Sequence, residues 1–404
     1  LNSLVLSNSV SSIPTASDPN IGGSGNKGIV GDDNGLNTTD PMVEGVRSGS
    51  IDLYPSSEST AEPVGPQGTG IADDDSSNLT VGFGFYEPLS LGNRVWLDLN
   101  NDGLLNNGEV GIDGVLVNLY QDANHDQTPD GGVLLTDTTS NGGYYLFDDL
   151  QASSYIVEIA QSNFNGNGKL VSYYSSLSIM PGANASDIGD LDVDNDDDGI
   201  DSNQPAIVAV RSASIQLTVR GEPLNEADLE SGVHSGSAND GSANLTVDFG
   251  FLQPVLIGDK VWYDNDADGK QEALDGELGV PNVTVALFTS AGDPVTDIFG
   301  NAIAPTQTDA SGHYTFTNLP PGDYYVQFNL ATLPNGYVVT TPNAAGVSDT
   351  LDSDGSPIDG KTANTGFLSS GAQEQTLALG IYQPLSVGNS VWADNNRNGI
   401  NEPG

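Results

Sequence analysis

The chain has no cysteine, which excludes disulfide staples, thiolate metal sites and cysteine nucleophiles. Bases are scarce: 10 Lys and Arg stand against 55 Asp and Glu, a formal net charge of -45. A surface of that sign repels phosphate, so nucleic acid is excluded as a partner. Three histidines, His125, His234 and His313, lie in an Asp-rich loop, a Ser/Gly-rich stretch and a strand pattern. None is accompanied by a nucleophile motif, a phosphate-cradling glycine loop or zinc spacing, and the chain is not read as an enzyme. No apolar run approaches the roughly 18 to 20 residues of a membrane span. No basic stretch followed by an apolar core opens the chain as a signal peptide would.

What is abundant is aspartate set among glycine and asparagine, and it is periodic. One phrase recurs as LGNRVWLDLNNDG from Leu91, IGDKVWYDNDADG from Ile257 and VGNSVWADNNRNG from Val387, holding all three tryptophans, Trp96, Trp262 and Trp392. A second recurs as Asn78 to Phe85 and Asn244 to Phe251, with a weaker answer at Leu379 to Pro384. A third joins Val46-Arg47-Ser48 to Val210-Arg211-Ser212 and has no counterpart in the shorter interval between Asn329 and Gly371.

These repeats divide the chain into four parts. Residues 1-88 read as the C-terminal part of a truncated repeat, 89-254 as a complete repeat, 255-384 as a shorter complete one and 385-404 as the start of another. Ends that cut through repeats imply a window on a longer polypeptide. Short β-branched and aromatic runs, such as Val115 to Tyr120, Tyr144 to Phe147, Val283 to Phe288 and Tyr324 to Phe328, are bounded by Gly, Asn, Asp and Pro. The expectation is all-β: tandem immunoglobulin-like β-sandwiches. Connections are short and carry Pro88, Pro254 or Pro384, which predicts a semi-rigid rod.

The tryptophan phrase runs into loops whose spacing suits a hard cation. In Asp98-Leu99-Asn100-Asn101-Asp102-Gly103-Leu104, oxygen side chains hold positions 1, 3 and 5, glycine holds 6, and Glu109 falls at 12, the spacing of an EF-hand loop. Leu104 offers its carbonyl, and Glu109 closes the shell. The second copy keeps Asp264, Asp266, Asp268, Gly269 and the carbonyl of Lys270, but either Asp275 or Glu277 closes it. In the third, Asp394, Asn396, Asn398 and Gly399 fit.

A separate run presents Asp194, Asp196, Asp198 and Asp201 around a glycine and reads as another calcium site. Asp122, Asn124 and Asp126 also alternate, but Gln127 stands in the glycine place; Asp352 and Asp354 before Gly355 form the thinnest candidate. The implied cofactor is Ca2+.

With those residues in view, the repeats resemble the B-type repeat domains of serine-aspartate repeat surface adhesins, relatives of the collagen-adhesin B-type (Cna B-like) domains. The resemblance rests on the tryptophan openings and on Asp309-Ala310-Ser311-Gly312-His313-Tyr314 through Pro320-Pro321-Gly322-Asp323-Tyr324-Tyr325-Val326, with a weaker copy from Ser140 to Tyr155. It implies calcium-binding β-sandwiches in an extracellular, secreted or cell-surface stalk or filament, with other copies of the chain as partners. It also raises the spontaneous Lys to Asn or Asp isopeptide bond of the related domains. Lys260 is replaced by Arg94 in the first complete repeat, and Glu158 by Gln327 in the second, so no such crosslink is expected.

The alternative role is an adhesin module for a host, carbohydrate or neighbouring-cell ligand, with Tyr144, Tyr145, Tyr324 and Tyr325 as aromatic platforms. Sequons at Asn37, Asn78, Asn184, Asn244 and Asn282 permit glycans.

Overall fold

The computed structural model of the chain describes residues 81-83, 85-106, 108-176, 196-200, 204-226, 236-272, 276-389, 391-394 and 397-401, with 10-11, 35-36, 46-48, 53 and 56. It is all-β and divides into two compact units, Leu1–Leu252 and Gln253–Gly404.

Among the described residues, the first unit begins with four short strands. β1 (Val10–Ser11) pairs antiparallel with β4 (Phe85–Tyr86), and β2 (Gly35–Leu36) with β3 (Arg47–Ser48). A sandwich follows. One sheet is built on β5 (Leu89–Leu97), which carries β6 (Val110–Gly111), β9 (Tyr144–Leu150), β14 (Ala243–Asn244) and β15 (Phe249–Leu252), with β11 (Tyr174–Ser175) beyond β15. The facing sheet runs β12 (Val210–Arg211), β10 (Ser154–Ile159), β7 (Leu116–Gln121), β8 (Leu135–Thr138), and β13 (Ile215–Gln216) also pairs with β10.

The second unit repeats the plan. β16 (Val255–Tyr263) carries β19 (His313–Leu319), β23 (Gln373–Glu374) and β24 (Leu379–Tyr382), with β21 (Val338–Val339) outside β24. Opposite lie β18 (Thr306–Gln307), β17 (Thr284–Thr289), β20 (Gly322–Phe328) and β22 (Phe367–Leu368).

The repeated phrases are neighbours in space. β15 lies parallel to β5 with Gly250 opposite Trp96, and β24 parallel to β16 with Gly380 opposite Trp262. Both indoles are fully buried. A Cβ on either glycine would come within 2.9 Å of the tryptophan ring, so the large residue of the first strand dictates the absent side chain of the last. Inward residues of both sheets make each core: Leu91, Val117, Phe147, Val157 and Phe249 in the first, Ile257, Val285, Phe316, Val326 and Leu379 in the second.

The third repeated phrase does have a counterpart, correcting the reading of its sequence. Ser212 N donates to Val157 O at 2.9 Å, and Ser212 Oγ accepts from Val157 N at 3.0 Å. Thr362 and Val326 make the same two bonds at 2.9 and 3.1 Å. Both hydroxyls then donate to the next carbonyl, Ala213 or Ala363. The phrase is thus an edge strand whose hydroxyl stands in for a ladder carbonyl, and Lys361-Thr362 replaces Arg211-Ser212. Hydrogen-bonding class is retained while residue identity is not, which hid the match.

Candidate metal centres

Each tryptophan strand ends in a coil of side-chain to backbone bonds. Asp98 is fully buried at the end of β5. Its Oδ1 accepts from Asn100 N at 3.1 Å and Asn101 N at 2.5 Å, and its Oδ2 from Gly103 N at 3.0 Å. Asn100 Oδ1 accepts from Asp102 N, and Asp102 Oδ1 from Leu104 N. Such Asx turns wind the backbone around its own oxygens. The winding needs left-handed backbone at Asn101 (φ 58°) and Gly103 (φ 71°). Glu109 closes the coil, accepting from Leu99 N and Asn106 N at 2.8 Å each.

The second loop repeats this pattern. Asp264 Oδ1 accepts from Ala267 N at 2.7 Å and Oδ2 from Gly269 N at 2.9 Å; Ala267 and Gly269 are left-handed. Glu277 accepts from Asn265 N at 3.0 Å and Glu272 N at 2.7 Å, the place Glu109 has in the first loop. Asp275, the alternative closing residue, lies outside the described residues. One carboxylate oxygen each of Asp264, Asp266 and Glu277 lie within 4.8 Å of one another, as do those of Asp266, Asp268 and Glu272. Burial, reinforced by neighbouring aspartates, raises Glu277 and Glu109 above the usual carboxylate range. In the third loop Asp394 accepts from Asn398 N and Gly399 N, and Asn398 Oδ1 from Ile400 N. Asn396 lies outside the described residues.

The fold sets the described end of the other acidic run, from Asp196, beside the first loop. Leu104 and Asp196 form an antiparallel bridge, and Asp197 N donates to Gly103 O at 3.0 Å. Asp198 turns inward: it is buried, accepts from Asp248 N at 2.8 Å, and desolvation pushes it well above the usual range. Asp194 and Asp201 lie outside the described residues.

In the second unit Lys270 bridges Asp352 in the same way. Oxygens of Asp349, Asp352 and Asp354 gather within 4.8 Å, and buried Asp352 keeps Oδ1 without a hydrogen-bond donor. Sequence spacing ranked this pair last and passed over Asp349, because only the bridge to Lys270 connects them to the tryptophan loop.

The Asp122 loop likewise makes the bend its sequence left in doubt. Gln127 adopts φ 67° without being glycine, and both Asp122 oxygens accept backbone N–H groups, from Asp126 and Gln127.

The acidic and amide side chains of these loops offer hard oxygen donors, a set suited to Ca2+ rather than to a soft metal, and in the second loop the Lys270 ammonium also faces Asp268. Three carboxylates so close repel unless a cation joins them. The aromatic platforms are not available: Tyr145, Tyr324 and Tyr325 are buried, and Arg94 covers the Tyr144 ring at 4.8 Å. Sequon Asn244 is buried; Asn282 is exposed, and the other three lie outside the described residues. His125 shares a hydrogen bond with Ser154, exposed His313 stands 3.9 Å from Asp309, and His234 lies outside the described residues.

A family model, the SdrD B-like domain, matches residues 89–169 and 255–381. Serine-aspartate repeat-containing protein F of Staphylococcus epidermidis is 32% identical over 334 residues, 81% of this chain and 15% of that protein. Serine-aspartate repeat-containing protein D of Staphylococcus aureus (strain Newman) is 29% identical over 357 residues, 87% of this chain and 21% of that protein. The chain therefore spans about a fifth or less of these relatives. Among solved structures, a minor pilin of Streptococcus agalactiae is 13% identical with a TM-score of 0.25, over 75% of this chain and 100% of that one. The shaft pilin SpaA of Lactobacillus rhamnosus GG is 12% identical with a TM-score of 0.23, over 74% and 99%.

Proposed function

We propose, from the premise that this chain belongs to the SdrD B-like domain family, that it is a structural, calcium-binding repeat module of a long secreted or cell-surface protein. The chain is a surface-protein repeat segment, extracellular or at the cell surface, and not an enzyme. No described helix is long and apolar enough to cross a membrane. The observation that carries the calcium reading is the gathering of Asp264, Asp266 and Glu277 oxygens within 4.8 Å, on a loop whose backbone coils as the Asp98 loop does.

The ligands we assign are Asp98, Asn100, Asp102, the Leu104 carbonyl and Glu109 in the first loop. In the second they are Asp264, Asp266, Asp268, the Lys270 carbonyl and Glu277. Asp394, Asn396 and Asn398 serve the third, and the run from Asp194 through Asp196 and Asp198 to Asp201 supplies a neighbouring site. A bound ion would neutralise each ring and hold the end of the tryptophan strand to the loop that follows. In a stalk, filament or matrix, other copies of the same repeats are the partners this role implies. The adhesin alternative loses Tyr145, Tyr324 and Tyr325 to burial, and Arg94 lies over the half-buried Tyr144 ring.

Binding confined to the folded state stabilises by about 2.7 kcal/mol at a hundredfold excess over the dissociation constant. Calorimetric melting with calcium should therefore run above melting with chelator. Superimposable curves would remove the calcium reading.

A further inference from the structure

The two complete loops differ in charge at their seventh residue, which faces the ring in the second. The seventh residue is Leu104 in the first loop and Lys270 in the second. Lys270 occupies both oxygens of one ligand carboxylate: its backbone N donates to Asp268 Oδ1 at 2.8 Å, and its ammonium pairs with Asp268 Oδ2. Among the described residues, the corresponding carboxylate in the first loop, Asp102, receives only neutral donors. Leu104 N reaches Oδ1 at 3.0 Å, and the amides of Asn100 and Asn106 reach Oδ2 at 2.8 and 3.0 Å.

The rings differ to match. Neutral Asn100 is replaced by Asp266, and Glu272, which takes Asn106's place in donating its backbone N–H to the closing glutamate, brings another carboxylate. Asp266, Asp268 and Glu272 then crowd within 4.8 Å. The second loop thus carries more negative charge than the first, with an ammonium among it.

We propose that Lys270 is a tethered cation: it holds the second ring together when calcium is absent and must leave Asp268 when calcium enters. The inference rests on the calcium reading above and concerns how that site is regulated. The bridge between Lys270 and Asp352 fixes the backbone at this position, so only the side chain has to move. An ammonium on a four-carbon stem faces its carboxylate at high effective concentration, and the apparent affinity for an outside ion falls by the fraction of time the site is free. A divalent ion interacts with the whole ring at twice the charge and displaces it. The second domain should consequently bind calcium more weakly than its acid content suggests and lose less of its order without it.

Lys270→Leu tests this, because Leu104 demonstrates that leucine suits the position. The full chain carrying Glu109→Gln, which weakens the first loop, is titrated with calcium by calorimetry with and without the substitution. Removing the ammonium should tighten the second loop about tenfold, and the reciprocal Leu104→Lys, made in the wild-type chain, should weaken the first. In chelator, Lys270→Leu should melt below its parent; in saturating calcium the deficit should vanish. Calcium binding with no gain in Lys270→Leu, or unchanged melting in chelator, overturns this proposal alone. No calcium binding by the wild-type chain and by Lys270→Leu alike overturns the calcium reading and this proposal with it.

Discussion

Glu158 of β10 and Arg211 of β12 face each other across an antiparallel ladder, and the guanidinium reaches the carboxylate at 2.6 and 2.7 Å. Glu158 is buried and also accepts from Asn118 Nδ2 and Tyr120 OH at 3.1 Å each. The acid that the isopeptide pattern would use is therefore engaged by an arginine. Its replacement in the second unit, Gln327, donates to Asp359 O at 3.1 Å. An intact mass equal to the sequence mass, without loss of ammonia or water, is the expected result.

Arg211→Ala leaves Glu158 with neutral partners only. Arg211 is 41% exposed, so water compensates in part, and the cost should be about 1 to 2 kcal/mol in urea denaturation. Adding Glu158→Gln should recover part of it, because the buried charge then disappears.

Ser212→Ala and Thr362→Ala each remove a buried hydroxyl that accepts a core strand N–H, from Val157 and Val326. Each should cost about 1 to 3 kcal/mol, the penalty for leaving such a donor unpaired. Hydrogen exchange at Val157 or Val326 should accelerate with the loss.

Glu277→Gln removes a charged ligand and one of two acceptors for the Asn265 and Glu272 amides. Calcium affinity of the second loop should fall at least about tenfold, since ligand charge sets affinity in such sites. Asp275→Asn should leave it nearly unchanged. The reverse ranking in a calcium titration would transfer the closing role to Asp275.

Asp259 links stability to pH. Burial first, then the Glu374 charge, raises it from 3.8 to about 7; burial raises nearby Asp354 to about 8. Between those values and 3.8 the folded chain keeps protons that the unfolded chain has released. The contribution of these two groups is therefore full below pH of about 4 and is lost as pH rises toward 7 to 8. In chelator, melting temperature should fall from pH 5 to 8.5, and Asp259→Asn, which copies Asn93 of the first domain, should flatten that slope. An equal slope in both proteins would remove Asp259 from the account.

Sequence alone determined the all-β class and the coiling loops, because those are local. Alternating apolar residues make half-buried strands, and Asp and Asn beside Gly bond their own backbone whatever lies around them. The loops from Asp98 and Asp264 were legible for that reason. Tertiary structure decided what depends on residues far apart in the chain. It placed Gly250 against Trp96, and Lys361-Thr362 where Arg211-Ser212 stands in the other domain. It gave Glu277 the place of Glu109, set the runs containing Asp196 and Asp352 beside the loops, and brought the Lys270 ammonium onto Asp268. Those relations depend on strand register and on which atoms meet across a sheet, and neither is encoded in a spacing of letters.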